Sequence, residues 1–151
     1  MQITTNIAEV TAKLMGQFEE IKNPEYVSRA VATALMPQIR ERIHERGENS
    51  KGQQIGTYSN SYLRLRQRKY NRTADTDVIA SLTRILENGY VVGPYQDAYA
   101  IENLGNKIPN DTKTKTDYLE EKYGKIWELT ESERNDANLV AAHEAQLILD
   151  K

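Results

Sequence analysis

Residues 82–104 read LTRILENGYVVGPYQDAYAIENL, and this stretch decides the fold class. Tyr90, Val91 and Val92 on one side and Ala98, Tyr99, Ala100 and Ile101 on the other are short runs of sheet-forming residues broken by turn residues. Two turns compete. Asn88-Gly89 is a tight-turn dipeptide, but Gly93-Pro94 with Gln96-Asp97 fits better if the first strand is long and starts near Leu82. Gly89 is then a bulge. The segment is read as an antiparallel hairpin over about 82–104.

Helical periodicity surrounds the hairpin. Ile7, Val10, Leu14, Phe18 and Ile21 recur at spacings of three and four, which predicts an amphipathic helix over 5–22. Asn23-Pro24 stops it and starts the next, with Asn23 as cap and Pro24 in the first turn. That second helix runs over 24–46 on a stripe of Val27, Val31, Leu35, Ile39 and Ile43, with Pro37 predicting a kink near 34–36 and Gly47 a C-cap. Between Thr73 and Ser81 a turn and one or two helical turns are expected, with Val78 and Ile79 facing inward. Asp117–Tyr123 reads as a short helix stopped by Gly124, and 126–129 as a short strand or extended link. Thr130-Glu-Ser-Glu133 is a capping box. It opens a final helix over 131–149 whose apolar side is Leu139, Val140, His143, Leu147 and Ile148. The sum is an α+β domain spanning 1–151: an N-terminal helix pair and a C-terminal helix around a small antiparallel sheet, with long polar loops at 47–60 and 105–116.

Composition limits what such a domain does. At 151 residues the length fits one domain. The apolar fraction is 38% against 28% charged, so the core is thin and stability gained by assembly is expected. Nine tyrosines against one phenylalanine put hydroxyls on most of the aromatic surface, which suits half-buried or interface positions. With no cysteine there is no disulfide framework, thiolate metal site or cysteine nucleophile. No apolar run nears the roughly 18 residues of a membrane span, and MQITTNIAEVTAKL lacks the basic and apolar regions of a secretory signal.

Catalytic and metal chemistry find little footing. His44, in RERIHER, is expected on a solvated helix face; His143 is expected as a hydrogen-bonded packing residue. Asp75-Thr-Asp77 lacks the further oxygen ligands of a calcium loop and suits a helix cap. Phosphate-loop, nucleophile-elbow and metal-histidine spacings are missing. The chain is read as a non-enzyme with no catalytic residue, metal or cofactor.

Charge distribution is the better clue. The net charge is −2, yet Lys51 to Arg72 holds six cations and no acid, whereas Asp111 to Lys151 holds ten acids and six cations. In Ser61–Arg72, Leu63 and Leu65 alternate with Arg64, Arg66 and Arg68, a two-residue period that predicts a strand or extended arm. On such an arm the arginines stand about 7 Å apart on one face. Three roles compete: docking of an acidic partner, a grip on nucleic acid with Tyr58, Tyr62 and Tyr70 stacking on bases, or a plain solvated strand. The pI of 5.8 argues against a dedicated nucleic-acid-binding domain.

The order of these pieces resembles that of the tail-completion and neck proteins of tailed bacteriophages, the head–tail joining group. The likeness spans roughly 40–135. It rests on the N-terminal helix pair, Ile55-Gly-Thr-Tyr-Ser59, the basic segment, Asp77-Val-Ile-Ala-Ser-Leu-Thr83, the hairpin, Asn110-Asp111, and EKYGKIWELTESE at 121–133. Arg84 stands where that group usually has glycine. The resemblance implies a non-catalytic virion subunit, made in the host cytoplasm, that forms a homo-oligomeric ring between portal or connector and tail proteins; transient contact of the basic segment with the passing genome ranks second to subunit contact. No membrane is involved. Rings require two different matching patches. Here Tyr62, Arg64, Arg66, Arg68, Lys69 and Arg72 are expected to face Glu120, Glu121, Glu131 and Glu133 of a neighbour, with Tyr58, Tyr70 and Trp127 as anchors. The alternative is a nucleic-acid-binding accessory protein of a mobile element, acting through the basic segment 62–72.

Overall fold

The computed structural model describes residues 13, 15–17, 19, 24–70, 76–80, 85–103 and 114–150. Its architecture is α+β. Helix α1 (Pro24–His44) is the spine, and the four-residue spacing expected for it holds: Leu35, Ile39 and Ile43 are buried, with Val31 packed beside them. The helix ends when the Glu45 and Arg46 amides both turn back to the Glu41 carbonyl, at 2.9 and 3.0 Å. Gly47 follows with φ +66°, and a Cβ there would meet the Val78 carbonyl oxygen at 2.8 Å. Glycine is therefore required twice, by backbone conformation and by space. Most of the helix expected over 5–22 lies outside the described residues. Those described near it, 13, 15–17 and 19, are helical. Gln17 donates through Nε2 to the Ile148 and Leu149 carbonyls, 3.0 Å each.

The segment expected as an exposed loop at 47–60 is a loop up to α2 and is exposed at 51–54, but it is also stitched to the body. Isolated bridges join Glu48 to Gln54 and Thr57 to Asp77. Asn49 Oδ1 accepts from the Lys51 and Gln53 amides, folding the tip, and Ile55 enters the core. Opposite it, residues 76–79 are extended rather than helical, because the Val78 amide pairs with the Gly56 carbonyl at 2.8 Å. Val78 does face inward, as expected, and is fully buried.

Helix α2 (Asn60–Tyr70) replaces the expected basic strand. The two-residue alternation covers only two leucines. Against it stands a run of good helix formers with no β-branched residue between 60 and 70. Ser59 starts the helix: its carbonyl accepts the Leu63 amide at 2.9 Å.

A single helical turn, α3 (Ile85–Asn88), stands where the first half of a long strand was expected. Gly89 closes that turn by donating to the Leu86 carbonyl at 3.2 Å, so it is not a bulge. The hairpin itself pairs β1 (Tyr90–Tyr95) with β2 (Ala98–Asn103) in antiparallel register, Tyr95 opposite Ala98, around Gln96-Asp97. Gln96 takes the positive φ, 54°. Gly93 and Pro94 lie within the strand. The register explains Pro94. It faces Tyr99 one step beyond the hydrogen-bonded Tyr95–Ala98 pair, so its missing N–H would point away from the ladder. The outward Tyr99 amide donates to Ser28 Oγ on α1 at 2.9 Å, which fastens the hairpin to the spine.

Two further helices complete the described chain: α4 (Lys115–Tyr123), capped by Thr114 and ended by Gly124, and α5 (Glu131–Leu149). The expected capping box at Thr130 forms. Thr130 Oγ1 accepts the Glu133 amide at 3.1 Å, and Glu133 Oε2 accepts the Thr130 amide at 2.8 Å. Residues 126–129 are an irregular link that bends at Trp127 and Glu128, not a strand. Leu35, Ile39, Ile43, Ile55, Val78 and Ile126 make the core.

Candidate functional site: two exposed surfaces

The change from strand to helix rearranges the basic segment. At about 100° per residue, Arg64 and Arg68 share one side of α2 with Ser61 and Leu65, while Arg66 points to the opposite side. Arg64, Arg68 and Lys69 are exposed. Arg66 is 1% exposed, with its guanidinium over the Tyr58 ring at 4.4 Å. Arg66 Nη1 is buried and finds no hydrogen-bond partner. The expected row of three arginines on one face is thus two arginines outside and one inside. Arg72 and the side chain of Tyr70 lie outside the described residues.

The expected aromatic anchors turn inward. Tyr58 stacks on Tyr62, with ring centroids 5.0 Å apart, and its hydroxyl accepts the Ile79 amide at 3.2 Å. Burial, the largest influence, pushes the Tyr58 hydroxyl pKa upward against the pull of Arg66. Trp127 is half-buried in a cluster with His44 and Tyr90, at centroid distances of 6.2 and 6.3 Å. These rings position α2 and the 126–129 link and present little surface to a partner.

The expected acidic face is divided in the same way. Glu133 is buried, and its Oε1 accepts from Arg42 Nε at 2.7 Å. Glu120 Oε1 accepts the Ile126 and Trp127 amides at 3.1 and 3.2 Å, tying the link to α4. Only Glu121 and Glu131 of the four are exposed. Acids flanked by backbone donors or a buried guanidinium are used where they stand, and a count of charges along the chain does not show this.

Both histidines reverse their expected places. His44 is buried on α1, where Nδ1 donates to the Ile79 carbonyl at 3.1 Å. Nε2 is then the acceptor of a hydrogen bond from the Tyr90 hydroxyl at 2.9 Å. His143 is exposed on α5.

That exposure belongs to a larger feature. Helix α5 turns Ala137, Ala141, Ala145 and Ile148 toward α1 and the core, the small side chains letting the two helices approach closely. Its larger apolar residues point the other way: Leu139 is 68% exposed and Leu147 44%. The apolar side expected to pack is mostly the outer side. Beside it on α1 stands Tyr26, also exposed. Tyr26 and Leu139 border a groove of about 810 Å³ with Ala30, Ala34 and Val140 on its walls and Arg29 and Glu144 at its rim. At the hairpin tip Tyr95 is likewise exposed.

Among the described residues no three His, Asp or Glu side chains gather as metal ligands, and no helix is long and apolar enough to cross a membrane. The class these elements define is an α+β protein. No protein-family model, curated protein or solved structure matches the chain.

Proposed function

We propose that this chain is a structural subunit that assembles with copies of itself into a ring at the head–tail junction of a tailed-phage particle. The observation that carries the reading is the outward-facing Leu139–Leu147 stripe of α5 with Tyr26 beside it. Large apolar side chains left exposed beside an apolar groove mark a protein contact, and a helix that packs through alanines leaves its leucines for a second partner. The neighbouring copy is the occupant. A ring needs two different patches on each subunit, and the exposed Tyr95 at the hairpin tip supplies an apolar counterpart away from α5. The resemblance of residues 40–135 to neck and tail-completion proteins adds the setting: a virion subunit between portal and tail proteins, made in the host cytoplasm, acting through contacts rather than catalysis.

The test is assembly state. Light scattering coupled to size-exclusion chromatography is expected to give an oligomer in the wild type. Leu139→Glu/Leu147→Glu is expected to give a monomer with unchanged helix content. A wild type that stays monomeric at high concentration, or a double variant that still assembles, rejects the reading.

A further inference from the structure

We propose that the outer face of α2 is a binding surface for the phosphodiester backbone of nucleic acid. It stands on α2 alone and goes beyond the assembly reading. The helix has eleven residues, four cations and no acid. Arg64 and Arg68 lie one turn apart on its exposed side, and neither forms an ion pair among the described residues. They border a shallow groove of about 890 Å³ together with Ser59, Ser61 and Gln67. Behind them Arg66 is buried with no carboxylate partner among the described residues, so its charge adds to the positive field of the helix.

Of the four carboxylates expected to face this segment in a second copy, Glu133 and Glu120 are already held by Arg42 and by backbone amides, and only Glu121 and Glu131 are exposed. A phosphodiester backbone instead presents a continuous row of anions. Arginine meets its oxygens with two parallel N–H bonds, and serine hydroxyls and a glutamine amide are ordinary phosphate contacts. A helix of this length spans about 16 Å, enough to lay two arginines along a backbone without reading bases. Binding through such contacts is independent of sequence and falls steeply with salt. With a net charge of −2 on the whole chain, attraction is local to this face, and binding is expected chiefly at low ionic strength.

Fluorescence anisotropy across a salt series tests this, with a labelled mixed-sequence DNA duplex, the matching RNA duplex, and poly-glutamate as competitor. The wild-type chain is expected to bind a duplex at low salt. Arg64→Gln/Arg68→Gln should lower affinity on the order of tenfold or more and flatten the salt slope by about 2, one for each lost phosphate contact. Arg134→Gln, an exposed arginine on α5, should leave both unchanged, and circular dichroism should show both variants folded. Whichever duplex binds more tightly names the nucleic acid. The proposal is overturned if neither duplex binds at low salt, or if the double variant keeps the wild-type slope. It is also overturned if poly-glutamate displaces the duplex as well as unlabelled duplex does at equal charge, since the partner is then an acidic polypeptide.

Discussion

Arg42 and Glu133 meet in the interior at 2.7 Å, ninety-one residues apart in sequence, and each also holds a second structure in place. The remaining guanidinium nitrogens of Arg42 donate to the carbonyls of Glu48, Ile126 and Glu128 at 3.0–3.1 Å. The second carboxylate oxygen of Glu133 completes the cap of α5. One ion pair therefore joins the end of α1, the loop after it, the 126–129 link and the start of α5.

Replacing Arg42 by methionine should be among the most damaging single changes. It strands a buried carboxylate and three carbonyls. Removing one partner of a buried pair costs about 3–5 kcal/mol. Arg42→Lys should recover little, because one ammonium cannot match a fork that reaches four acceptors. Urea denaturation gives the answer; a loss under about 1 kcal/mol for Arg42→Met rejects the network's role.

Arg66 is as deeply buried as Arg42 but has no ion pair among the described residues. Arg66→Met keeps the apolar stem against Tyr58 and removes a desolvated charge. The expected change in stability is within about 1 kcal/mol. A comparison of the two methionine variants in the same titration separates a networked arginine from a stacked one.

His44 makes stability depend on pH. Burial, the dominant influence, lowers its pKa below the usual 6.5; the Ile79 carbonyl and Glu87 act in the opposite direction, and Arg40 adds to the lowering. The neutral ring also matches its partners, donating to a carbonyl and accepting from Tyr90. Above about pH 6.5 folded and unfolded chains are both neutral here. As pH falls below that value the unfolded chain takes up the proton first, so stability declines toward the lowered folded pKa. Melting temperatures between about pH 7 and 5 should fall for the wild type and less for His44→Gln, which lacks the titrating ring. Equal slopes for the two proteins would remove His44 as the cause.

Gly47→Ala should destabilise by about 1–3 kcal/mol, since a left-handed φ is strained for alanine. The new methyl also meets the Val78 carbonyl oxygen, a backbone atom that cannot swing aside. Gly52→Ala, also at positive φ but with open space around it, isolates the conformational part. Thermal melts of the two variants should differ, with Gly47→Ala the lower.

Thr130→Ala should cost about 1 kcal/mol, the usual loss for a helix cap. Its effect should shrink in an Arg42→Met background, because the Glu133 carboxylate that completes the cap is no longer held in place. A double-mutant cycle measures that coupling; strict additivity contradicts it.

The sequence by itself determined what depends on neighbours a few residues away. The four-residue stripe of α1, the Thr130 capping box, the Gly124 stop and the presence of a hairpin follow from local spacing and turn chemistry, although the turn expected over Gly93–Asp97 closes at Gln96-Asp97 with Gly93 and Pro94 in the strand. The α+β class follows from their order. Tertiary structure decided which face of each element meets the core. Local alternation suggested a strand at 61–68, but a run without β-branched residues became a helix that put Arg66 inside and left Arg64 and Arg68 outside. On α5 the leucines looked like the packing side, yet alanines allow the closer approach to α1 and the leucines face outward. Glu133, Glu120 and His44 carry no local sign of burial, because a polar group is buried only when partners from distant segments arrive to satisfy it.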